Sequence, residues 1–159
     1  MKKIKRIIAA GLCLSMVFAA TACSKSDKSA SGGSSDKDKT YNVGICQLVE
    51  HEALDAATKG FKDALTEKLG DKVTFTEQNA AGDTPTCATI IDGFVSSNVD
   101  LILANATSPL QAAASATTTI PVLGTSITDY ATALDMSDWS GKTGRNISGT
   151  SDLAPLSEQ

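Results

Sequence analysis

The chain has 159 residues, 18 Asp and Glu against 14 Lys and Arg, a formal charge of −4, and 4% aromatic residues. That balance lacks the basic footprint a nucleic-acid-binding domain needs, so no nucleic acid is expected as a partner. The length suffices for one domain with a real core.

The N-terminus opens on Lys2, Lys3, Lys5 and Arg6, and residues 7–18 form an apolar run. Ala20, Thr21, Ala22 and Cys23 close it. Basic, then apolar, then small is the order of a secretory signal peptide, here over 1–22, and the apolar run is too short for a stable membrane span. A cysteine at that point resembles the lipobox of bacterial lipoproteins, with Ala20 where that family more often has leucine. The mature chain is therefore expected to begin at a lipidated Cys23 and to work outside the cytoplasm, with the membrane as a partner through the lipid. Cleavage would take the formal side-chain charge from −4 to about −8 by removing the four basic residues. Residues 23–39 are Ser, Gly, Lys and Asp with almost nothing apolar, and read as a flexible tether. Four cysteines make no disulfide scaffold here. Cys13 leaves with the signal, Cys23 carries lipid, and Cys46 and Cys87 fall inside apolar patterns where buried thiols are expected.

The folded part starts at Thr40. Residues 41–48 (YNVGICQL) read as a strand. Residues 53–69 place Leu54, Ala57, Phe61, Ala64, Leu65 and Lys68 at helical spacing, and Gly70 ends the helix as a C-cap. Residues 72–77 alternate like a strand. Thr84 reads as the N-cap of the next helix and Pro85 as its first residue, with Ala88, Ile91, Phe94 and Val95 as the apolar face. Residues 100–104 (DLILA) are a continuous apolar strand, the pattern of a strand covered on both faces. A short helix over 109–117 follows, then strands at 120–124 (IPVLG) and 146–150 (NISGT). Alternation at this pitch means right-handed βαβ units: an α/β fold with a parallel sheet flanked by helices.

In such sheets ligands meet the loops beyond the carboxyl ends of the strands, here 49–55, 105–109, 125–130 and 149–152. Three of these are dense in hydroxyls and amides: Asn105, Thr107 and Ser108; Thr125, Ser126, Thr128 and Asp129; Thr150, Ser151 and Asp152. Such side chains beside helix N-termini suit a small anion or carboxylate. They also serve as helix caps, so the shared edge, rather than any one residue, points to a ligand. The remaining loop holds His51, the only histidine, with Asp55 shortly after. His51 reads either as a ligand contact or as a loop residue over a helix start. The sequence holds no HExxH or CxxC, no GxSxG and no GxGxxG or GKT, so no metal, no catalytic residue and no cofactor are expected.

The stretches VGICQLVEHEALDAATKGFKDAL, DLILANAT, IPVLGTSITDYA and GRNISGTSDLAP, in that order, resemble the substrate-binding proteins of ABC transporters. Within them they are similar to the tryptophan/tyrosine-type lipoproteins, over residues 41–159. Glu52 departs from the proline that the family has after the histidine, which bears on the rigidity of the first loop. The resemblance implies a type I periplasmic-binding-protein fold of two lobes with a ligand in the cleft. On that plan 40–149 is the N-terminal lobe, 150–159 is the crossover and start of the second lobe, and relatives continue for roughly as long again. It implies a receptor rather than an enzyme: a small solute, an amino acid of the aromatic class, handed to ABC permease subunits. The candidate contacts are His51, Asp55, Asn105, Thr107, Thr125, Ser126, Asp129 and Ser151. Asp129 is the first choice for the ligand's ammonium and Asp55 the second. The rivals are a lipid-anchored sensory domain and a secreted hydrolase with His51 as its base.

Overall fold

The computed structural model describes residues 39–152. The signal peptide, Cys23, almost all of the tether and residues 153–159 lie outside the described residues.

Five strands form one parallel sheet in the order β2-β1-β3-β4-β5. They are β1 (Tyr41–Gln47), β2 (Val73–Asn79), β3 (Leu101–Asn105), β4 (Val122–Ile127) and β5 (Ile147–Ser151). Helices α1 (Glu52–Leu69), α2 (Thr84–Ser96), α3 (Thr107–Ala116) and the short α4 (Tyr130–Ala133) connect them. This is the α/β sheet flanked by helices that the alternation implies.

The apolar run of β1 is explained by its place. It pairs with β2 on one side and β3 on the other, and Val43 to Gln47 are all buried. Alternate residues serve two cores. Val43, Ile45, Val73 and Leu103 pack under Phe61, Leu65 and Leu69 of α1. Cys46, Ile102, Ala104 and Val122 pack under Ile90, Ile91 and Phe94 of α2, Leu110 of α3 and Tyr130 of α4. Among the described residues α1 is the only long helix on its face. A groove of about 410 Å³ remains between Ala57 and Phe61 of α1 and the β3–β5 strands. Cys46 and Cys87 are free, fully buried thiols, and burial, with Cys87 beside it, pushes Cys46 up to about 12.

Several boundaries move toward the carboxyl ends of the strands. Asn105 closes β3, and Thr125 and Ser126 lie inside β4 rather than in loops, because the ladder pairs Gln47 with Asn105 and Asn105 with Thr125. Side-chain polarity suggested an end that the backbone pairing does not respect. Asp83, not Thr84, caps α2, and Pro85 falls one residue later than expected. The Asp83 carboxylate reaches the amide of Thr86 at 2.9 Å, the stronger acceptor for that donor. The buried face of α2 is Cys87, Ile90, Ile91 and Phe94, and Ala88 is exposed. On α1, Ala64 and Lys68 are exposed, and Thr58 is the buried residue instead. Gly70 is the C-cap, at φ 56°, as its position suggests.

Candidate functional site

Because all five strands run parallel, their carboxyl ends share one edge, and every candidate residue lies on or near it. Beneath the first loop is a hydrogen-bonded row that sequence reading missed in part. Asn105 Nδ2 donates to the Leu54 carbonyl at 2.8 Å and to Thr58 Oγ1 at 2.9 Å. Thr58 Oγ1 donates to Gln47 Oε1 at 2.7 Å. Gln47 Nε2 donates to the Val49 carbonyl at 3.0 Å and to Asp55 Oδ1 at 2.6 Å. Gln47, Thr58 and Asn105 are all buried, and only Asn105 Oδ1 lacks a partner. The row ties the start of α1 to the ends of β1 and β3. Gln47 and Thr58 were legible as polar residues at inward positions of an apolar strand and an apolar helix face.

His51 caps α1. Its Nδ1 accepts from the Ala53 amide at 3.2 Å, and its ring is exposed. Glu52 opens the helix. The loop is held by Gln47 below and by the Asp55 amide donating to the His51 carbonyl at 2.8 Å. Acidic Glu52 and Asp55 in the first turn suit the positive end of the helix dipole.

At the centre of the edge, α3 starts directly from β3. Its N-cap is Ala106, at φ 100° and ψ 168°, which offers no side-chain acceptor. A non-glycine residue there costs roughly 1–3 kcal/mol and persists only where its surroundings hold it. Here the Ala106 amide donates to the Thr125 carbonyl at 3.0 Å. Thr107 is exposed on the first turn of α3, and Ser108 Oγ accepts from Thr84 Oγ1 at 3.3 Å. Ser126 also has positive φ, 57°, where β4 bulges.

Asp129 is exposed and caps α4. Oδ1 accepts from the Ala131 amide at 2.9 Å and Oδ2 from Thr132 Oγ1 at 2.5 Å. The Thr132 hydroxyl, outweighing slight burial and helped by the Ala131 and Thr132 amides, holds its carboxyl below the usual aspartate range. Ser151 Oγ donates to the Thr128 carbonyl at 2.9 Å, joining the ends of β4 and β5. So Thr107, Ser126, Asp129 and Ser151 gather from the centre of the edge toward β5. His51 and Asp55 sit over β1, Thr125 turns toward the α1 face, and Asn105 lies inside. Among the described residues no His, Cys, Asp and Glu cluster could hold a metal, and no helix is long and apolar enough to cross a membrane.

Known proteins are similar to this chain in sequence and fold. The chain is 44% identical over 162 residues to a tyrosine-binding protein of Clostridioides difficile, covering 98% of this chain and 46% of that one. The ligand-free, open structure of a substrate-binding protein with adhesive properties from Clostridium difficile is 40% identical and superposes with a TM-score of 0.69, over 75% of this chain and 41% of that one. A Streptococcus pneumoniae structure in complex with L-Trp is 34% identical at the same TM-score of 0.69, over 76% of this chain and 41% of that one. The chain thus spans less than half the length of each of these relatives. Residues 42–159 match the family model described as ABC transporter substrate binding protein, and by that match, which takes in all of the sheet but Tyr41, the chain belongs to that family.

Proposed function

We propose that this chain forms the first wall of an extracytoplasmic amino-acid receptor that delivers its solute to ABC permease subunits. The observation that supports this best is the N-terminus of α3, at the middle of the edge with no side-chain cap, on the same edge of the sheet as the exposed carboxylate of Asp129. An amino acid is a carboxylate next to an ammonium. Uncapped first-turn amides favour the carboxylate, and the Thr107 and Ser126 hydroxyls can add to them. Asp129, kept ionised by its own hydrogen bonds, suits the ammonium. Asp55, on the first turn of α1, is the second choice. The aromatic class follows the relatives, one named for tyrosine and one solved with L-Trp. Binding needs no covalent step: a second wall from the rest of the polypeptide closes on the solute and excludes water.

A thermal-shift series on the full-length protein tests this reading. Aromatic amino acids at millimolar concentration should raise the melting temperature by mass action, and nucleotides and sugars should not. A flat response to all amino acids would dismiss it.

The anchor is part of the same proposal. Cys23, behind Ala20-Thr21-Ala22, carries the lipid and the 23–39 tether spaces the domain from the membrane. Cys23→Ser should move the protein from the membrane fraction to the medium or leave it unprocessed. Intact-mass analysis finding an unmodified cysteine on a soluble wild-type chain would contradict the anchor.

A further inference from the structure

Between β4 and β5 the hydroxyl of Tyr130 enters a slot that only two facing glycines leave open. Gly124 and Gly149 are register partners. A Cβ built on Gly124 would lie 2.4 Å from Tyr130 Oη, and one on Gly149 would lie 2.1 Å from it. In that slot Oη donates to the Gly124 carbonyl at 3.0 Å and reaches the Thr150 carbonyl at 3.4 Å. The β4–β5 ladder loses register immediately beyond, between Gly124 and Ile127. So one phenol proton spans two strand ends at the point where the backbone pairing is interrupted.

The phenol is itself well held. Tyr130 is 7% exposed, its ring sits among the α3-side core residues, and Asp129 caps the helix turn that carries it. Trp139, the only tryptophan of the chain, stacks on the ring with centroids 6.4 Å apart and planes 6° apart. The segments next to these two carbonyls, 125–129 and 150–152, carry Ser126, Asp129 and Ser151.

We propose that Tyr130 is a positioning residue for the solute site: it touches no solute, and its hydroxyl fixes the spacing of the β4 and β5 loops while Trp139 braces its ring. This rests on the reading of those loops as the solute wall. Gly124 leaves the room that the hydroxyl needs, while a Cβ on Gly149 would meet the Gly124 carbonyl oxygen at 2.1 Å as well as the hydroxyl, so there are two independent ways to remove the clamp. Tyr130→Phe deletes the proton donor and keeps the ring. Gly124→Ala keeps the donor and fills the slot.

Amide hydrogen exchange on the full-length protein, without ligand, reads the clamp directly. In both variants segments 125–129 and 150–152 should exchange about tenfold faster than in wild type, the scale of one lost buried hydrogen bond. Exchange in β1 and β3 should not change. Calorimetric titration with L-tyrosine and L-tryptophan on the same proteins should show affinity for the bound amino acid weakened about tenfold, a change of about 1.4 kcal/mol. Unchanged exchange of both segments in Tyr130→Phe overturns the clamp whatever the titration gives. Faster exchange with wild-type affinity overturns the positioning role and leaves a merely structural tyrosine. Faster exchange in a protein whose wild type binds neither amino acid supports the clamp and rejects an aromatic amino acid as the solute instead. If Gly124→Ala does not fold, Tyr130→Phe, which adds no atom, decides alone.

Discussion

Asn105→Asp should lower the stability of the protein by about 3–5 kcal/mol at pH 7, as an unpaired charge left in the interior does. Asn105 is fully buried, and its amide nitrogen supplies donors to the Leu54 carbonyl and to Thr58 Oγ1. A carboxylate of the same shape has no donor. It would face the Leu54 carbonyl and Gln47 Oε1, both acceptors, with the charge of Asp55 one hydrogen bond beyond Gln47. Burial and the neighbouring oxygens raise the folded-state pKa of the new carboxyl above its unfolded value of about 3.9. The unfolded chain then loses the proton first, so stability falls as pH rises through that value, and protonation at low pH restores part of what is lost. Urea unfolding of wild type and variant at pH 4 and pH 7 measures this. A deficit under 1 kcal/mol at pH 7, or one that grows on acidification, would show that the Gln47–Thr58–Asn105 row does not hold the edge together.

Gly44→Ala should cost about 2–3 kcal/mol, although alanine ordinarily stabilises a strand over glycine. Gly44 needs no unusual backbone angle. Its role is to leave room: a Cβ there would lie 2.6 Å from Cγ and Cδ2 of Phe94. The ring is 2% exposed and belongs to the core between the sheet and α2. β1 cannot yield either, since Gly44 is paired to Thr76 on one side and to Ile102 on the other. Thermal or urea unfolding of the variant checks this, and a neutral or stabilised variant would mean that α2 shifts freely over the sheet. Restoring space with Phe94→Leu in the same chain should recover part of the loss, because the two positions share one contact.

These residues also show what the sequence could and could not reveal. Element type follows from periodicity, and the run DLILA and the spacing of Leu54, Phe61 and Leu65 place β3 and α1 correctly. Boundaries fail where a polar residue is satisfied inside the fold. Asn105 reads as a loop residue because nothing local announces that Leu54, Thr58 and Gln47 stand opposite, 47 to 58 positions away, and Thr125 does so because its ladder partner is Asn105. The choice of Asp83 over Thr84 as cap is a contest of two good acceptors one residue apart, and only side-chain reach decides it. Gly44, Gly124 and Gly149 are silent in sequence, since Gly44 and Gly124 answer to an aromatic side chain and Gly149 to both the Tyr130 hydroxyl and the Gly124 backbone. The carboxyl-edge rule put the candidate residues on one edge of the sheet without coordinates. It could not distinguish Asp129, which faces solvent, from Asn105, which faces the core.

The measurement that bears most directly on the proposed function is calorimetric titration of the full-length protein and its Asp129→Asn variant with L-tyrosine and L-tryptophan. Asparagine keeps the size of the side chain and an oxygen that can cap Ala131, so the fold should survive. Removing the charge should weaken binding of the preferred amino acid by about thirtyfold or more, the scale for one partner of a desolvated charge pair. Wild-type binding in the micromolar range with that loss is the expected result. Equal affinity of the two proteins would contradict the placement of the ammonium at Asp129, and no binding by the wild type would contradict an aromatic amino acid as the solute.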